Sequence, residues 1–243
     1  MYETLNNDNN LVDSRDLAES NTDTEGTKVL EFQTTRSVEE LAAEYEALPN
    51  VEFAEPNYIY GTEAHPSDPN YSMQYALDKV NTRQAWDLSS GSSSVIIAII
   101  DSGVDWNHPD LADNIWNNTD EVLDGTDSDG NGFIDDIRGY DFVHTQNQCN
   151  ANEDCSTEDN DPMDFFGHGT HVAGIAAAVG NNSIGVSGVC QQCSIMPLKA
   201  GYQRFDGAGV LETADIIQAI DYARKNNANI ISMSFGGTYS QSI

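Results

Sequence analysis

Two residues of this chain, Asp101 and His168, stand in settings that suit catalysis. Asp101 follows the unbroken apolar run Val95–Ile100 and is itself followed by Ser-Gly. His168 has a glycine on each side, so another molecule can approach its ring closely. A carboxylate that orients an imidazole supplies the acid and the base of a Ser-His-Asp charge system, whose chemistry is nucleophilic attack on a carbonyl group.

Each of the two residues has a plainer interpretation when it is taken alone. Asp-Ser-Gly resembles half of an aspartic protease site, which needs a dimer or a second such copy, and this sequence has no second copy. The same three residues also suit a turn. His168 suits a buried helix residue whose ring is hydrogen-bonded internally. Metal binding by His168 and His171 is another alternative, although the glutamate of the His-Glu-x-x-His pattern is missing. The occurrence of both residues in one chain favours the charge system.

The segments around these residues alternate between strand and helix patterns. The apolar run before Asp101 predicts a central parallel strand that is covered on both faces. It places Asp101 at the carboxyl end of the strand, where open α/β sheets hold their sites. Small apolar residues over 168–179 predict a buried helix, and 195–198 and 230–234 predict further strands. The order predicts an α/β fold with a doubly wound parallel sheet.

A crossover helix is predicted between the last two strands, over 212–225. One side of it is apolar, and that side carries Ile216, Ile217, Ile220 and Ala223.

The first part of the chain has a different pattern. Residues 1–26 are polar and acidic, which predicts disorder. Lys28–Phe32 alternates like a half-buried strand, and Ser37 with Glu40 forms a capping box that starts a helix running to about position 48. A second strand is predicted over 51–60. This α+β piece is too short to hold a core alone, so we expect it to pack on another surface.

Composition limits the partners of the chain. Its 40 Asp+Glu outnumber its 10 Lys+Arg, so nucleic acid is repelled. No run of 18 apolar residues exists, and we expect no membrane span. The acidic surplus is typical of a solvated, salt-adapted surface, of carboxylates that bind hard cations, or of both.

The four cysteines form two close pairs, Cys149 with Cys155 and Cys190 with Cys193. This spacing favours local disulfides in a secreted protein, with free thiols and a metal or redox motif as alternatives. The first residues lack the basic start and apolar stretch of a signal peptide. Either the protein stays inside the cell or its true N-terminus is not part of this sequence, and we expect a secreted protein whose signal peptide is absent from this chain.

Four sequence blocks occur in a fixed order along the second part of the chain. They are Asp101-Ser-Gly with His108-Pro-Asp-Leu, Gly167–Gly174, Asp206-Gly-Ala-Gly and Ser234-Phe-Gly-Gly. In this order they resemble the subtilases, the family of subtilisin-like serine peptidases. The resemblance implies a subtilisin-like domain, incomplete here, that hydrolyses peptide bonds in polypeptide substrates.

The resemblance also implies a role for each block. His168 would be the general base, and Asp101 would hold its tautomer and stabilise the imidazolium. Six residues would pair through their backbone with an extended peptide: Gly207, Ala208, Gly209, Ser234, Phe235 and Gly236. The family's oxyanion-hole Asn and its Gly-Thr-Ser block would follow, but neither is present before Ile243. We expect these 243 residues to be inactive alone. The alternative function is a catalytically inactive, calcium-stabilised peptide-binding domain.

Lys28–Tyr60 resembles the second half of the inhibitor-like propeptide of subtilases. The implied organisation is a leader over 1–26, a partial propeptide over 27–64 and the first part of the peptidase domain over 65–243. The resemblance implies cleavage between residues 60 and 67. The partners would be polypeptide substrates and the chain's own propeptide as an intramolecular inhibitor, and we expect a monomer.

Calcium is the expected cofactor. Asp127, Asp129, Asn131 and Asp135 supply oxygen ligands at alternating positions, as at the start of an EF-hand loop. The twelfth position of that loop is Arg138, so the EF-hand is not complete. A solvated acidic turn is the alternative. An acidic calcium-binding module alone would explain this loop but not the histidine block.

The resemblance implies a second calcium site and suggests a third. The second consists of the side chains of Asp68, Asp110 and Asn182 with the carbonyl groups of Gly180, Ile184 and Val186. The third consists of Asp159, Asp161 and Asp164.

Overall fold

The computed structural model describes residues 10–16, 27–57, 66–145, 149–237 and 242–243. The chain divides into two units, Met1–Thr62 and Glu63–Ile243. Within the described ranges, no helix is long and apolar enough to cross a membrane. Both predicted disulfides are present, and they join Cys149 to Cys155 and Cys190 to Cys193.

The first unit pairs two strands and adds one helix. Strand β1, Leu11–Asp16, runs antiparallel to β2, Lys28–Phe32. Helix α1, Val38–Glu46, begins with the predicted capping box: Ser37 Oγ accepts from the Glu40 amide at 3.2 Å, and the Glu40 carboxylate accepts from the Ser37 amide at 3.3 Å. The helix buries Leu41 and Tyr45, and Leu48 just after it is also buried.

The predictions for this unit are wrong in two places. The leader that we expected to be disordered contains β1. Residues 51–57, predicted as a strand, have no regular structure, and 58–60 lie outside the described residues. The cause is common to both: β2 pairs with the segment before it rather than the one after it. Because the residues of β1 are polar, their pattern did not predict a strand; β1 is stabilised by backbone hydrogen bonds to β2.

The second unit is built on a four-stranded parallel sheet. Strand β3, Ile96–Asp101, lies between β5, Ser194–Lys199, and β8, Ile230–Ser232. Strand β4, Tyr140–Asp141, pairs with the outer edge of β5. The predicted α/β fold with a parallel sheet is confirmed, and β8 is two residues shorter than predicted.

Helices and a small antiparallel pair surround this sheet. The helices are α2, Tyr75–Lys79; α3, Thr82–Leu88; α4, His168–Ala177; and α5, Thr213–Lys225. Single 3₁₀ turns occur at Tyr71–Met73 and Ala112–Asn114. The sequence did not predict the antiparallel strands β6, Gly201–Gln203, and β7, Gly209–Leu211.

The core explains why the run before Asp101 is apolar without interruption. Ala98 and Ile100 of β3 belong to a buried cluster with α5, whereas Ile97 and Ile99 belong to a second cluster with α4. Successive side chains of a strand point to opposite faces, so a sheet that is covered by helices on both sides needs apolar residues at every position. Helix α5 buries Ile216 and Ala223 as predicted, but Ile217 is exposed.

Candidate active site

Asp101 and His168 are in direct contact. His168 Nδ1 lies 2.7 Å from Asp101 Oδ1, which also accepts a hydrogen bond from the Ser102 amide at 2.8 Å. Asp101 is the last residue of β3 and is buried, while His168 is the first residue of α4 and its side chain is 45% exposed. The contact occupies Nδ1, so Nε2 is the ring nitrogen left for proton transfer.

A glycine allows α4 to approach the end of β3. A Cβ atom on Gly169 would lie 2.0 Å from the Gly103 carbonyl oxygen and 3.0 Å from the Asp101 Cβ. Real side-chain atoms do not come that close to a backbone oxygen, so the helix can begin at His168 only with glycine at the next position.

Asp164 holds the turn before His168. Its Oδ1 accepts hydrogen bonds from the Phe166 amide at 3.0 Å and the Gly167 amide at 2.8 Å. Its Oδ2 accepts from the amide of Thr170 at 2.9 Å and from the hydroxyl at 2.6 Å. The carboxylate thus satisfies amides at the start of α4 that have no partner inside the helix.

The predicted calcium set of Asp159, Asp161 and Asp164 is not assembled in this form. Both oxygens of Asp164 are used by the turn. Asp161 Oδ1 accepts from Trp106 Nε1 at 3.0 Å, and Asp159 Oδ1 accepts from the Asp161 amide at 2.9 Å. The signal in the sequence was a carboxylate four residues before the predicted helix, where it can accept from the first amides, but we assigned Asp164 to metal binding.

The second oxygen of Asp101 is electrostatically unusual. Asp101 Oδ2 is buried and accepts no hydrogen bond from the described residues. The residue that contacts the imidazole thus has one buried carboxylate oxygen that is unsatisfied among the described residues.

An acidic cavity of about 210 Å³ lies on the other side of Asp164. Its lining includes Glu153, Asp159 and the ion pair of Lys199 with Asp141. Lys199 Nζ lies 2.6 Å from Asp141 Oδ2 and donates to the Asp154 carbonyl at 2.9 Å. Burial raises the pKa of Asp141 to about 7, although Lys199 lowers it. Sequence reasoning missed this pair.

The predicted substrate segments lie at two places in the second unit. Gly209 begins β7, and a Cβ atom there would lie 2.5 Å from the Phe166 ring, whose centroid is 6.5 Å from that of His168. Gly207 forms the turn before it with φ at +86°, and the Ala208 carbonyl accepts from the Arg204 amide at 2.8 Å.

The other substrate segment follows β8 without regular structure. Ser234 and Gly236 are exposed, and Phe235 packs against the cluster under α5.

The predicted EF-hand-type ligands diverge. Asp127 accepts from the amides of residues 130 and 131 at 2.7 and 3.1 Å, and Asp135 accepts from those of 124 and 125 at 2.9 and 3.0 Å. Asn131 Nδ2 donates to Asp129 Oδ2 at 3.1 Å. Only Asp129 of the predicted carboxylates joins a converging group, and its companions there are Glu121 and Asp136. The sequence pattern missed both companions because neither falls on an EF-hand position.

The side chains of the second predicted calcium set lie close together. Asp68 and Asp110 are buried. Asn182 connects them, since its backbone amide donates to Asp68 at 3.1 Å and its side-chain amide donates to Asp110 at 2.9 Å. The Val186 amide donates to Asp110 at 2.8 Å, and the Ile184 amide donates to the Asn182 side chain at 2.7 Å.

Comparison with known families supports two assignments. The family model described as "Subtilase family" matches residues 92–243, and the one described as "Fervidolysin N-terminal prodomain" matches residues 9–57. The prodomain match includes most of the segment for which we predicted a disordered leader.

Three relatives are similar to this chain over most of its length. The thermophilic serine proteinase of Bacillus sp. (strain AK1) is 38% identical over 189 residues, which are 77% of this chain and 38% of the relative. Thermitase of Thermoactinomyces vulgaris is 35% identical over 178 residues, 73% and 50% of the two chains. The halolysin-like extracellular serine protease Nep of Natrialba magadii is 36% identical over 190 residues, 77% and 29%.

A solved structure shares the fold. The structure titled as proteases from Pseudoalteromonas arctica PAMC 21717 superposes with a TM-score of 0.56 at 28% identity, over 74% of this chain and 53% of that one. The chain spans half or less of the length of the relatives named above. Because the family match covers more than half of its residues and includes the Asp101–His168 pair, this chain belongs to the subtilase family of serine peptidases, with a fervidolysin-type prodomain segment before the peptidase part.

Proposed function

We propose that Asp101 and His168 are the orienting carboxylate and the general base of a subtilisin-type serine endopeptidase. The observation that carries the proposal is the 2.7 Å contact between Asp101 Oδ1 and His168 Nδ1, formed at the carboxyl end of a central parallel strand. Two relatives, one named as a serine proteinase and one as a serine protease, support the reaction class.

The proposed mechanism assigns one task to each atom in contact. His168 Nε2 takes the proton of a serine hydroxyl as that oxygen attacks the peptide carbonyl, and then gives it to the leaving amine. Asp101 keeps the proton of the neutral ring on Nδ1 and stabilises the imidazolium. The Ser102 amide fixes the Asp101 carboxylate through its 2.8 Å hydrogen bond.

The substrate is an extended polypeptide. Exposed backbone at residues 207–209 and 234–236 would add a peptide as a strand, through main-chain hydrogen bonds that read few side chains. This mode favours broad specificity. The segment at 9–57 would act as the intramolecular inhibitor, in keeping with its prodomain match.

We also propose that the peptidase acts outside the cell as a monomer. Two disulfides are typical of oxidising compartments, and one relative is named as extracellular.

Calcium would bind at Asp68, Asp110 and Asn182. The two buried carboxylates, Asp68 and Asp110, suit a hard cation, and Asn182 connects them through its backbone and side-chain amides. A cation there would stabilise the folded state by mass action. A melting temperature that is the same in EDTA and in calcium would contradict this assignment.

Hydrolysis of casein by the protein translated from the full reading frame tests the proposed reaction. We expect turnover in the wild type, a loss of about 10⁴-fold in Asp101→Asn and a loss of about 10⁶-fold in His168→Ala, as in subtilisin. The double variant should lose no more than His168→Ala, because the members of a charge system act as a unit.

The 243-residue chain gives the complementary result. In its described part no hydroxyl is hydrogen-bonded to His168 Nε2, and we expect no turnover from this chain alone. Turnover that His168→Ala abolishes would contradict that expectation. Peptide binding without hydrolysis by the full protein would favour the inactive, calcium-stabilised binding domain instead.

A further inference from the structure

A loop that is closed by a disulfide lies along the edge of β6 that faces away from β7. The loop comprises residues 149–155, called the disulfide loop below, and the S–S bond joins its two ends, Cys149 and Cys155. Strand β6 pairs with β7, and Arg204 just after β6 forms an isolated antiparallel bridge with Cys149. The small antiparallel pair is therefore extended by the disulfide loop.

Gln203 of β6 is held in place by this loop. Its carbonyl accepts from the Asn150 amide at 2.8 Å, and its amide donates to the Glu153 carboxylate at 2.7 Å. The side chains of Asn150 and Gln203 share a further hydrogen bond of 2.8 Å. The Glu153 side chain is 1% exposed, so water hardly competes for its bond to Gln203. Three hydrogen bonds from one loop thus fix the position of Gln203.

Gln203 also lies opposite the substrate segment, residues 207–209. Its partner in the pairing of β6 with β7 is Gly209. Gly209 is in close contact with Phe166, since a Cβ atom at Gly209 would lie 2.5 Å from the ring. The centroid of the Phe166 ring is 6.5 Å from that of His168. A shift of β6 therefore moves the backbone that would pair with a peptide next to the imidazole.

The two ends of the disulfide loop differ in how firmly the fold holds them. Cys155 is 2% exposed and packs with Val143 and Tyr202. Cys149 is only partly buried, and the S–S bond links it to the anchored Cys155. Without that bond, Asn150 next to Cys149 would lose its link to the anchor. Its hydrogen bonds to β6 would then open more often, because fewer constraints hold the loop closed.

We propose that the Cys149–Cys155 disulfide positions the substrate segment through Gln203, and that its reduction by a dithiol loosens this segment and weakens the binding of peptides. The proposal rests on the function proposed above, because it takes residues 207–209 as the segment that binds the peptide. Cys149, Cys155 and Asn150 are positioning residues in this proposal, since each acts through Gln203.

Thiol–disulfide exchange with a dithiol gives the reduced form. A thiolate of the reductant attacks the partly exposed Cys149 Sγ, the S–S bond breaks, and Cys155 leaves as a thiolate that takes up a proton. The second thiol of the reductant then displaces Cys149, which also becomes a thiol. The reductant ends as a disulfide, so two electrons and two protons have passed to the protein.

Hydrogen exchange of the 243-residue chain tests the positioning without any hydrolysis. Removal of the disulfide by Cys149→Ser together with Cys155→Ser should make the amides of residues 201–211 exchange at least about 10-fold faster, because the loop no longer holds β6. Dithiothreitol should have the same effect on the wild type. It should have little further effect on these amides in the double variant.

The other disulfide provides the matched control. Cys190 and Cys193 come just before β5, whereas β6 follows β5, so the two disulfides lie at opposite ends of that strand. Cys190→Ser together with Cys193→Ser should change exchange over 201–211 less than about 2-fold. Dithiothreitol should still speed exchange in this control, where Cys149–Cys155 is the disulfide left to reduce.

A hydrogen-bond variant keeps both disulfides. Asn150→Ala removes the side-chain bond to Gln203, whereas Asn152→Ala changes an exposed residue of the same loop. In the protein translated from the full reading frame, Asn150→Ala should raise KM for an extended peptide about 3- to 10-fold and change kcat less than about 2-fold, because the lost binding is common to substrate and transition state. Asn152→Ala should change neither. A loss of folded protein alone would lower kcat and leave KM unchanged.

Two results would overturn the proposal. One is exchange over 201–211 that does not depend on the Cys149–Cys155 disulfide. The other is hydrolysis in which Asn150→Ala and Asn152→Ala have the same KM. If the full protein hydrolyses no peptide, the proposed peptidase function fails, and the exchange measurement still decides whether the disulfide positions the segment.

Discussion

Ser102 Oγ lies 3.0 Å from Asp164 Oδ1, and this hydrogen bond joins the end of β3 to the turn before His168. The same hydroxyl accepts from the Gly169 amide at 3.0 Å. Ser102 is thus hydrogen-bonded to a residue before His168 in the sequence, Asp164, and to the residue after it, Gly169. The position of the imidazole relative to the Asp101 carboxylate therefore depends on Asp164, which touches neither of them.

Replacing Asp164 with asparagine tests this dependence. The amide group cannot accept at both positions, so hydrogen bonds to the Thr170 amide and hydroxyl are lost. We expect a loss of about 2–3 kcal/mol in the free energy of unfolding, measured in urea. The proton resonance of the His168 Nδ1–H group, which reports its hydrogen bond to Asp101, should broaden.

Asp161→Asn is the matched control, since Asp161 lines the same cavity and accepts from Trp106. It should leave the His168 resonance unchanged. An unchanged resonance in Asp164→Asn would show that the turn does not position the imidazole.

Gly169 and Gly174 give opposite predictions within one helix. A methyl group at Gly169 would collide with the Gly103 carbonyl oxygen, whereas nothing lies within 4 Å of a Cβ atom at Gly174. We expect Gly169→Ala to destabilise the protein by about 3 kcal/mol or more and to separate α4 from Asp101. Gly174→Ala should stabilise it by about 0.5–1 kcal/mol, because alanine is the better helix former.

Urea unfolding measures both glycine variants. Equal effects of the two substitutions would show that the close approach of α4 and β3 does not require Gly169.

The sequence predicted the parts of the fold that have a strong local signal. The apolar run before Asp101 and the small residues after His168 identified β3 and α4, because burial on both faces leaves no polar position. The blocks around Asp101 and His168 then predicted a contact between residues 67 positions apart, and the structure places them at 2.7 Å.

The features that were missed depend on partners distant in sequence. Strand β1 is polar and is defined only by its pairing with β2. Glu121 and Asp136 have no motif spacing. A sequence shows which residues of a loop have carboxylates. The direction of each carboxylate depends on which backbone amides of the folded loop need an acceptor.

The ion pair of Lys199 and Asp141 should be essential for stability. Both side chains are about 3% exposed, and Lys199 also lies 3.8 Å from Glu153. Lys199→Met leaves these carboxylates buried without a cation, so we expect a loss of about 3–5 kcal/mol near neutral pH. The loss should be smaller in acid, because burial raises the pKa of Asp141 and its protonation removes the charge.

Denaturant unfolding of three variants checks this. Lys225→Met, at an exposed position of α5, should cost less than about 1 kcal/mol. Adding Asp141→Asn to Lys199→Met should recover part of the loss. If Lys199→Met cost no more than Lys225→Met, the pair would not hold the ends of β4 and β5 together.

Asp215 should make the free energy of unfolding fall as pH rises, which is opposite to the effect of most carboxylates in folded proteins. It lies in the first turn of α5 and is 6% exposed. Burial raises its pKa from 3.8 to about 6, and repulsion from Glu212 and Glu158 adds to this, although His144 opposes it. The folded state then binds a proton more tightly than the unfolded state, so the free energy of unfolding falls as pH rises from about 4 to about 6.

Asp215→Asn removes that fall. The variant should match the wild type at about pH 4 and be more stable by about 1–3 kcal/mol at about pH 7, because an amide pays no cost of ionisation when it is buried. Asp221→Asn on the same helix is the control. Arg224 and Lys225 lower the pKa of exposed Asp221, so its removal should bring no gain at neutral pH. Unfolding curves in urea across this pH range measure the free energy of unfolding of all three proteins. If the wild type became more stable between about pH 4 and 6, and Asp215→Asn abolished that increase, the prediction would be wrong. The ionised Asp215 carboxylate would then stabilise the folded state.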